Sequence, residues 1–377
     1  MKKILIIAGE ASSDMHASNL VKDIKQLQQN ISFFGLGGNN MQAAGVNIIE
    51  NIVKIAFIGP GGLIKHYFKL KSIFNNICNR IKKDPPDCAI LIDYAEFNLR
   101  VAKELKKIGV PVIYYISPQV WAWGLWRIKT IRNLVDKMIV FFKFEETLYK
   151  KHGVNVKFVG HPLLSTVTTQ NKKQDIIKEF AISDSKKIIG ILPGSRESEM
   201  SNILPIMLKA AYAIKQKNSN VEFLMPLAST LNELDAKKII SRYNINIKII
   251  KDRTYDAISI CDSAIVASGT ATLETALLGI PMVIVYKTNF LTYLFTKNLI
   301  KLPYIGIVNV VYGKKIVPEF LQQNATSKNI SEYVLKLLSD DKLSNIMKDK
   351  FSEIKDSLGE VGASERAARE IVDFLNA

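Results

Sequence analysis

Short apolar runs recur along almost the whole chain, each closed by a small or polar turn and followed by a stretch whose apolar residues repeat at helical spacing. Ile4 to Ala8 runs into Gly9-Glu10-Ala11-Ser12-Ser13-Asp14, after which Met15, Val21, Ile24 and Leu27 share one helical stripe. Ser32 to Leu36, Ala89 to Ile92, Val110 to Ile116, Lys137 to Phe142 and Val156 to Val159 continue the series. Ile188 to Leu192, Val221 to Met225, Ile247 to Ile250, Ala264 to Ala267 and Met282 to Val285 repeat it. Strands apolar on both faces must be covered on both faces, and strand–helix–strand connections make neighbouring strands parallel. The alternation therefore predicts an α/β chain of doubly wound parallel sheets. Between Leu163 and Lys187 the apolar strands give way to Thr, Gln, Asn and Lys. This interval divides the chain into two Rossmann-like domains, residues 1–166 and 167–377, with C-terminal helices that could pack back on the first.

In open parallel sheets ligands bind beyond the carboxyl ends of the strands, so the turns there hold the candidate residues. Ala267-Ser268-Gly269-Thr270 joins a strand to a helix, and small residues at a helix N-terminus leave backbone N–H groups free for phosphate. Glu274, one turn further on, could accept from ribose hydroxyls; the alternative is an ordinary turn with a solvated Glu. Pro193-Gly194-Ser195-Arg196 is a second such junction, followed by Glu199. Gly194 and Ser195 would offer backbone N–H groups, and Arg196 a charged fork, to the same diphosphate. Asp93 closes the strand Ala89 to Ile92 and begins Tyr94-Ala95-Glu96-Phe97-Asn98. It reads equally as a general base facing the ligand and as a cap for the following helix, and Glu96 is close enough to share the role.

Other chemistries find no support. The first turn lacks the second and third glycines of a dinucleotide fingerprint, and Gly35-Leu36-Gly37-Gly38 has no fitting acidic partner and reads as a turn. There is no phosphate-binding GxxxxGK[ST]. The four histidines do not pair at metal spacing, and His161 reads as a hinge or packing residue rather than a base. Cys78, Cys88 and Cys261 are scattered, which suits a reducing compartment. With 51 Lys and Arg against 35 Asp and Glu, a formal charge of +16, the chain favours anionic partners. No apolar stretch is long enough to span a bilayer, so membrane contact would be peripheral. Trp121 and Trp123 could wall a ligand, although packing is the commoner cause. Residues 58–71 and 290–301 mix Lys with Leu, Ile, Tyr and Phe, as do core helices with solvated lysines and helices that meet lipid.

The motifs GEASSD, LIDYAEFN, YISPQVWAW, GHP, LPGSRESE and ASGTATLE, in this order, resemble those of the lipid-A-disaccharide synthase family and span most of the chain. The resemblance implies a glycosyltransferase B fold, with two Rossmann-like domains facing a cleft and UDP on the second. It implies an inverting transfer of 2,3-diacylglucosamine from UDP-2,3-diacylglucosamine to 2,3-diacylglucosamine 1-phosphate, giving a β-1,6 disaccharide and UDP. Gly194, Ser195, Arg196, Glu199, Ser268, Gly269, Thr270, Glu274 and Asn309 become UDP-site residues, Asp93 the leading base with Glu96 behind it, and Glu10, Ser12 and Asp14 first-loop or acceptor residues. No cofactor, metal or nucleic acid is implied, and the sequence has no DxD. Acylated substrates imply the cytoplasmic face of a Gram-negative inner membrane, a peripheral association, and chains held by the basic-aromatic segments; a homodimer is left open. Ser13 stands where the family usually has Gly, and Glu96 where it usually has Asp. The rivals are another UDP-sugar enzyme of this fold, such as a UDP-N-acetylglucosamine epimerase, and a non-catalytic basic membrane-surface protein.

Overall fold

A computed structural model describes residues 1–54, 63–169, 171–288 and 303–377. The basic-aromatic stretch 290–301 and residues 58–62 of the other lie outside the described residues. The chain forms two compact units, Met1–Pro162 with Leu358–Ala377, and Leu163–Ser357. The division falls after Pro162, and the last twenty residues belong to the first unit.

The first unit has seven parallel strands: β1 (Lys2–Ala8), β2 (Ile31–Gly37), β3 (Asn47–Asn51), β4 (Cys88–Ile92), β5 (Val112–Tyr115), β6 (Lys137–Val140) and β7 (Val156–Phe158). Their order is β3-β2-β1-β4-β5-β6-β7. The period-two rule is legible along β1. Leu5 and Ile7 face a core shared with Ile73, Ile77 and Ile81 of the helix Leu63–Lys83 and with Val101 and Leu105 of the helix Ala95–Lys107. Ile4, Ile6 and Ala8 face another, built with Leu20, Val21 and Ile24 of the helix Ala11–Leu27 and with Ala367, Ala368 and Ile371 of the helix Ala363–Asn376. That last helix is tied to the sheet by polar contacts as well: Arg366 Nε donates to Val159 O at 2.8 Å, and Lys137 pairs with Glu370 at 2.6 Å.

The second unit has six parallel strands: β8 (Lys187–Leu192), β9 (Val221–Leu227), β10 (Lys248–Lys251), β11 (Ser263–Ala267), β12 (Met282–Tyr286) and β13 (Glu319–Leu321), in the order β10-β9-β8-β11-β12-β13. Each sheet reverses its winding at one place, β1/β4 in the first and β8/β11 in the second. At such a switch point the connections leave in opposite directions and open a crevice at the strands' carboxyl ends. Leu192 lies opposite Val266 and Ala8 opposite Ile92, so both pairs of turns emerge level with each other. Among the described residues no helix is long and apolar enough to cross a membrane.

Candidate active site

In the second unit the turns after β8 and β11 line a single cavity of about 710 Å³. Gly194, Ser195, Arg196 and Glu199 enter it from one turn and Ser268, Gly269, Thr270 and Glu274 from the other. Gly194 has φ 106°, a left-handed conformation, and a Cβ there would stand 2.2 Å from Glu199 Oε2, so both backbone and space require glycine. The helix Thr270–Leu277 begins at this cavity; the Thr272 N–H donates to Gly269 O at 3.1 Å, while those of Thr270 and Ala271 have no intrahelical acceptor. At Gly269 the place of a Cβ is open space, so the backbone is exposed to a ligand. The Arg196 side chain is 74% exposed, with Glu199 Oε1 3.7 Å away. Glu274 is largely buried, which raises its pKa, and accepts from Tyr255 OH at 3.2 Å. Phosphate-seeking groups at one end and a carboxylate–tyrosine pair able to meet hydroxyls suit a nucleoside diphosphate.

In the first unit the corresponding turns carry Glu10 and Asp93. Asp93 and Tyr94 both have φ 47°, a conformation that costs a non-glycine residue about 1–3 kcal/mol and persists only where its surroundings hold it. Asn98 supplies that hold: it is fully buried, and its Nδ2 donates to Ile92 O at 3.1 Å and to Asp93 O at 2.8 Å. Tyr114 OH donates to Asp93 O as well. The Tyr94 ring lies on Gly9, where a Cβ would come within 2.4 Å of it. Burial, reinforced by the charge of Glu10, pushes the Asp93 carboxyl up to about 6. A carboxylate poised there is ionised at neutral pH yet basic enough to draw a proton from a hydroxyl in a transition state. Asn98→Ala is expected to lower kcat by about 10- to 100-fold by releasing this turn, and to cost about 1–3 kcal/mol from the unpaired carbonyls. Single-turnover rates and chemical denaturation check the two effects separately.

The sequence model described as Lipid-A-disaccharide synthetase matches residues 4–372. The chain belongs to the lipid-A-disaccharide synthase family. Among curated family members, that of Geobacter metallireducens is 39% identical over 99% of this chain and 97% of its own. That of Syntrophus aciditrophicus is 42% identical over 97% and 96%. Solved structures share the fold at low identity. A UDP-GlcNAc 2-epimerase from Neisseria meningitidis bound to UDP-GlcNAc gives a TM-score of 0.62 at 14% identity, covering 100% of each chain. The calicheamicin glycosyltransferase CalG4 gives 0.62 at 13%, covering 100% of this chain and 98% of its own. The fold is thus the α/β class of glycosyltransferase B enzymes and UDP-sugar epimerases, and family membership selects the transferase: the chain is a glycosyltransferase of lipid A biosynthesis. The reading as a non-catalytic surface protein falls away.

Several residues that the synthase motifs suggested for the site have structural hydrogen-bond partners of their own. Glu199 is a helix cap: its Oε2 accepts from Ser195 N at 3.0 Å and Arg196 N at 3.4 Å, so the Ser195 amide, expected to face phosphate, faces Glu199. Asn309 is fully buried and outside the cavity lining. Its amide donates to Val317 O and Glu319 and accepts from Ile316 N and Val317 N, all at 2.8–2.9 Å, which leaves nothing for a ligand. Asp14 is buried too, and its carboxylate accepts from Gly38 N at 2.7 Å, Asn40 N at 3.0 Å and Met41 N at 3.1 Å. It is the acidic partner that Gly35-Leu36-Gly37-Gly38 lacked in the sequence, and a Cβ on Gly38 would lie 2.6 Å from its Oδ2. Asp14→Ala is therefore expected to destabilise the fold by about 2–4 kcal/mol, read from denaturant melts, with UDP affinity retained.

Glu10 and Ser12 are exposed at the start of the helix Ala11–Leu27, and Ser13 is buried there. The Glu96 side chain is 70% exposed and ion-paired with Arg127. Trp121 is packed, its indole Nε1 donating at 3.1 Å to Glu145, a carboxyl that burial pushes up to about 7. The Trp123 side chain lies outside the described residues. His161 lies tilted against the rings of Phe141 and Phe142, and burial pushes it down to about 3. Tyr255 and Thr230, whose Oγ1 donates to Ser195 O at 2.6 Å, line the same cavity as Arg196 and Glu274 without having been singled out beforehand. Both come from turns after neighbouring strands, which is the signal that could have found them. Among the described residues no cluster of His, Cys, Asp or Glu could hold a metal.

Proposed function

We propose that the chain transfers 2,3-diacylglucosamine from UDP to the 6-hydroxyl of 2,3-diacylglucosamine 1-phosphate with inversion at the anomeric carbon. The acceptor oxygen forms its bond to that carbon as the bond to the diphosphate oxygen breaks. The hydroxyl proton passes to Asp93, and the electron pair leaves on UDP. The observation that carries this reading is the cavity at the β8/β11 switch point, where Arg196 and the N-terminus of the helix Thr270–Leu277 flank the same space as Glu274. Arg196 and the helix N-terminus balance the charge that develops on the leaving diphosphate, and Glu274 takes the ribose hydroxyls. Asp93, strained, half-buried and raised towards neutrality, supplies the base. The UDP-GlcNAc found in the epimerase of the same fold supports a UDP-sugar as donor.

Acylated substrates partition into lipid, and we infer peripheral docking on the cytoplasmic face of the inner membrane. The formal charge of +16 supports it, as do Tyr67 and Phe68, exposed beside Lys69 and Lys71 on the helix Leu63–Lys83. The test is to supply the folded protein with both substrates in detergent and follow UDP and disaccharide. Equimolar UDP and β-1,6 disaccharide 1-phosphate is the expected result. A 2-epimerised sugar nucleotide, or UDP without disaccharide, overturns the reading.

A further inference from the structure

A second cavity, of about 400 Å³, lies within the first unit between the helices Leu63–Lys83 and Ala95–Lys107. Leu70, Phe74, Phe97 and the rings of Tyr67 and Tyr94 make its wall apolar, and Lys71 and Arg100, both exposed, complete it. The single carboxylate in the lining, Glu96, is already neutralised by Arg127, whereas Lys71 and Arg100 form no ion pair with any described residue. Tyr94 belongs to this wall and is also the residue after Asp93 in the strained turn, its ring against Gly9. An apolar hollow flanked by two uncompensated cations, one residue from the proposed base, fits an amphiphile with a fatty chain and an anionic head.

We propose that this cavity holds an acyl chain of the acceptor while Lys71 and Arg100 pair with its 1-phosphate. The inference rests on the acceptor assigned above and deepens it. The donor has its own anion site, because its diphosphate belongs to the Arg196 cavity. A membrane surface would meet the exposed rim at Tyr67 and Phe68, whereas Leu70, Phe74, Phe97 and Tyr94 line the hollow beneath it. A neutral chain alone would leave the two cations without purpose.

The experiment measures initial rates with acceptors whose chains differ by two carbons, in mixed micelles of fixed composition, for wild type, Leu70→Trp and Arg100→Ala. At about fourfold in affinity per buried methylene, two carbons fewer should raise the wild-type acceptor KM about 15-fold. Leu70→Trp, which fills the hollow, should raise it at least tenfold and flatten the chain-length dependence. Arg100→Ala should raise it about tenfold with the donor KM held within twofold. A donor KM that rises instead, both variants within twofold of wild type, or KM changes that track lost micelle binding in a flotation assay would each overturn the proposal. UDP titration and thermal melts verify folding, and if Leu70→Trp does not fold, the exposed Arg100→Ala decides alone. If wild type forms no disaccharide with any acceptor, the proposed function fails, and calorimetry with dodecyl phosphate judges the cavity by itself. Binding tighter than for dodecanol or inorganic phosphate, and weakened about tenfold in Arg100→Ala, supports it; equal binding of all three overturns it.

Discussion

Asp93→Asn is expected to lower kcat by about 10²- to 10⁴-fold, the usual worth of a positioned general base, while UDP affinity stays within twofold. The same substitution should stabilise the fold. The Asp93 carboxyl has a folded pKa of about 6 against an ordinary 3.8, so its charged form is penalised in the native state. Stability associated with the neutral carboxyl is fully present below 3.8 and lost as pH rises through 6, which at neutral pH amounts to about 2–3 kcal/mol. The asparagine carries no charge to bury, so at pH 7–8 the variant should melt higher than wild type, and the gap should close as pH falls towards 4. Loss of turnover together with a gain in stability separates a strained functional group from a structural cap. Had Asp93 merely capped the following helix, Asp93→Asn would leave stability nearly unchanged, because Asn caps about as well as Asp; the N-cap position is in fact Tyr94, with no side-chain cap bond.

Arg196→Ala is expected to lower kcat by about 10²- to 10³-fold and to weaken UDP binding, measured by single-turnover kinetics and calorimetry. The structure raises the importance of this side chain above what its motif suggests. With the amides of Ser195 and Arg196 held by Glu199, the proposed contact of the β8 turn with a diphosphate would run chiefly through the guanidinium. Arg196→Lys keeps the charge but not the planar fork, and should recover only part of the loss. Retention of more than a third of wild-type turnover in Arg196→Ala would assign leaving-group stabilisation to the helix N-terminus alone.

The sheets, and the turns at their carboxyl ends, could be read from the sequence because each strand carries its own signal, an apolar β-branched run closed by small residues. The convergence of Pro193 to Arg196 with Ser268 to Thr270 followed from strand order, which the βαβ pattern restricts. What could not be read were pairings made across long separations. Asp14 meets Gly38 and Met41 more than twenty residues away, and nothing in GEASSD marks its carboxylate as buried. Asn309 satisfies itself on Val317 and Glu319 within a turn whose course no periodicity describes. Glu199, by contrast, was readable: a Glu three residues beyond a helix's N-cap commonly reaches back to backbone amides. The phosphate reading of Ser195 overlooked that competitor. The C-terminal helix announces an apolar stripe at Ala367, Ile371 and Leu375 but not which sheet it covers, since such a stripe fits any apolar face of the right width.

The pH dependence of kcat/KM, measured side by side for wild type and Asp93→Asn, tests the assignment of the base most directly. The proton acceptor works only when ionised, so wild-type kcat/KM should fall tenfold per unit below about pH 6, the value burial and Glu10 give Asp93. The acceptor's phosphate also takes up a proton near pH 6, and the variant tells the two apart. The residual activity of Asp93→Asn should lose the steep acid limb, keeping at most the shallow dependence of acceptor binding. An acid limb equally steep in both proteins would belong to the substrate, and would contradict Asp93 as the base.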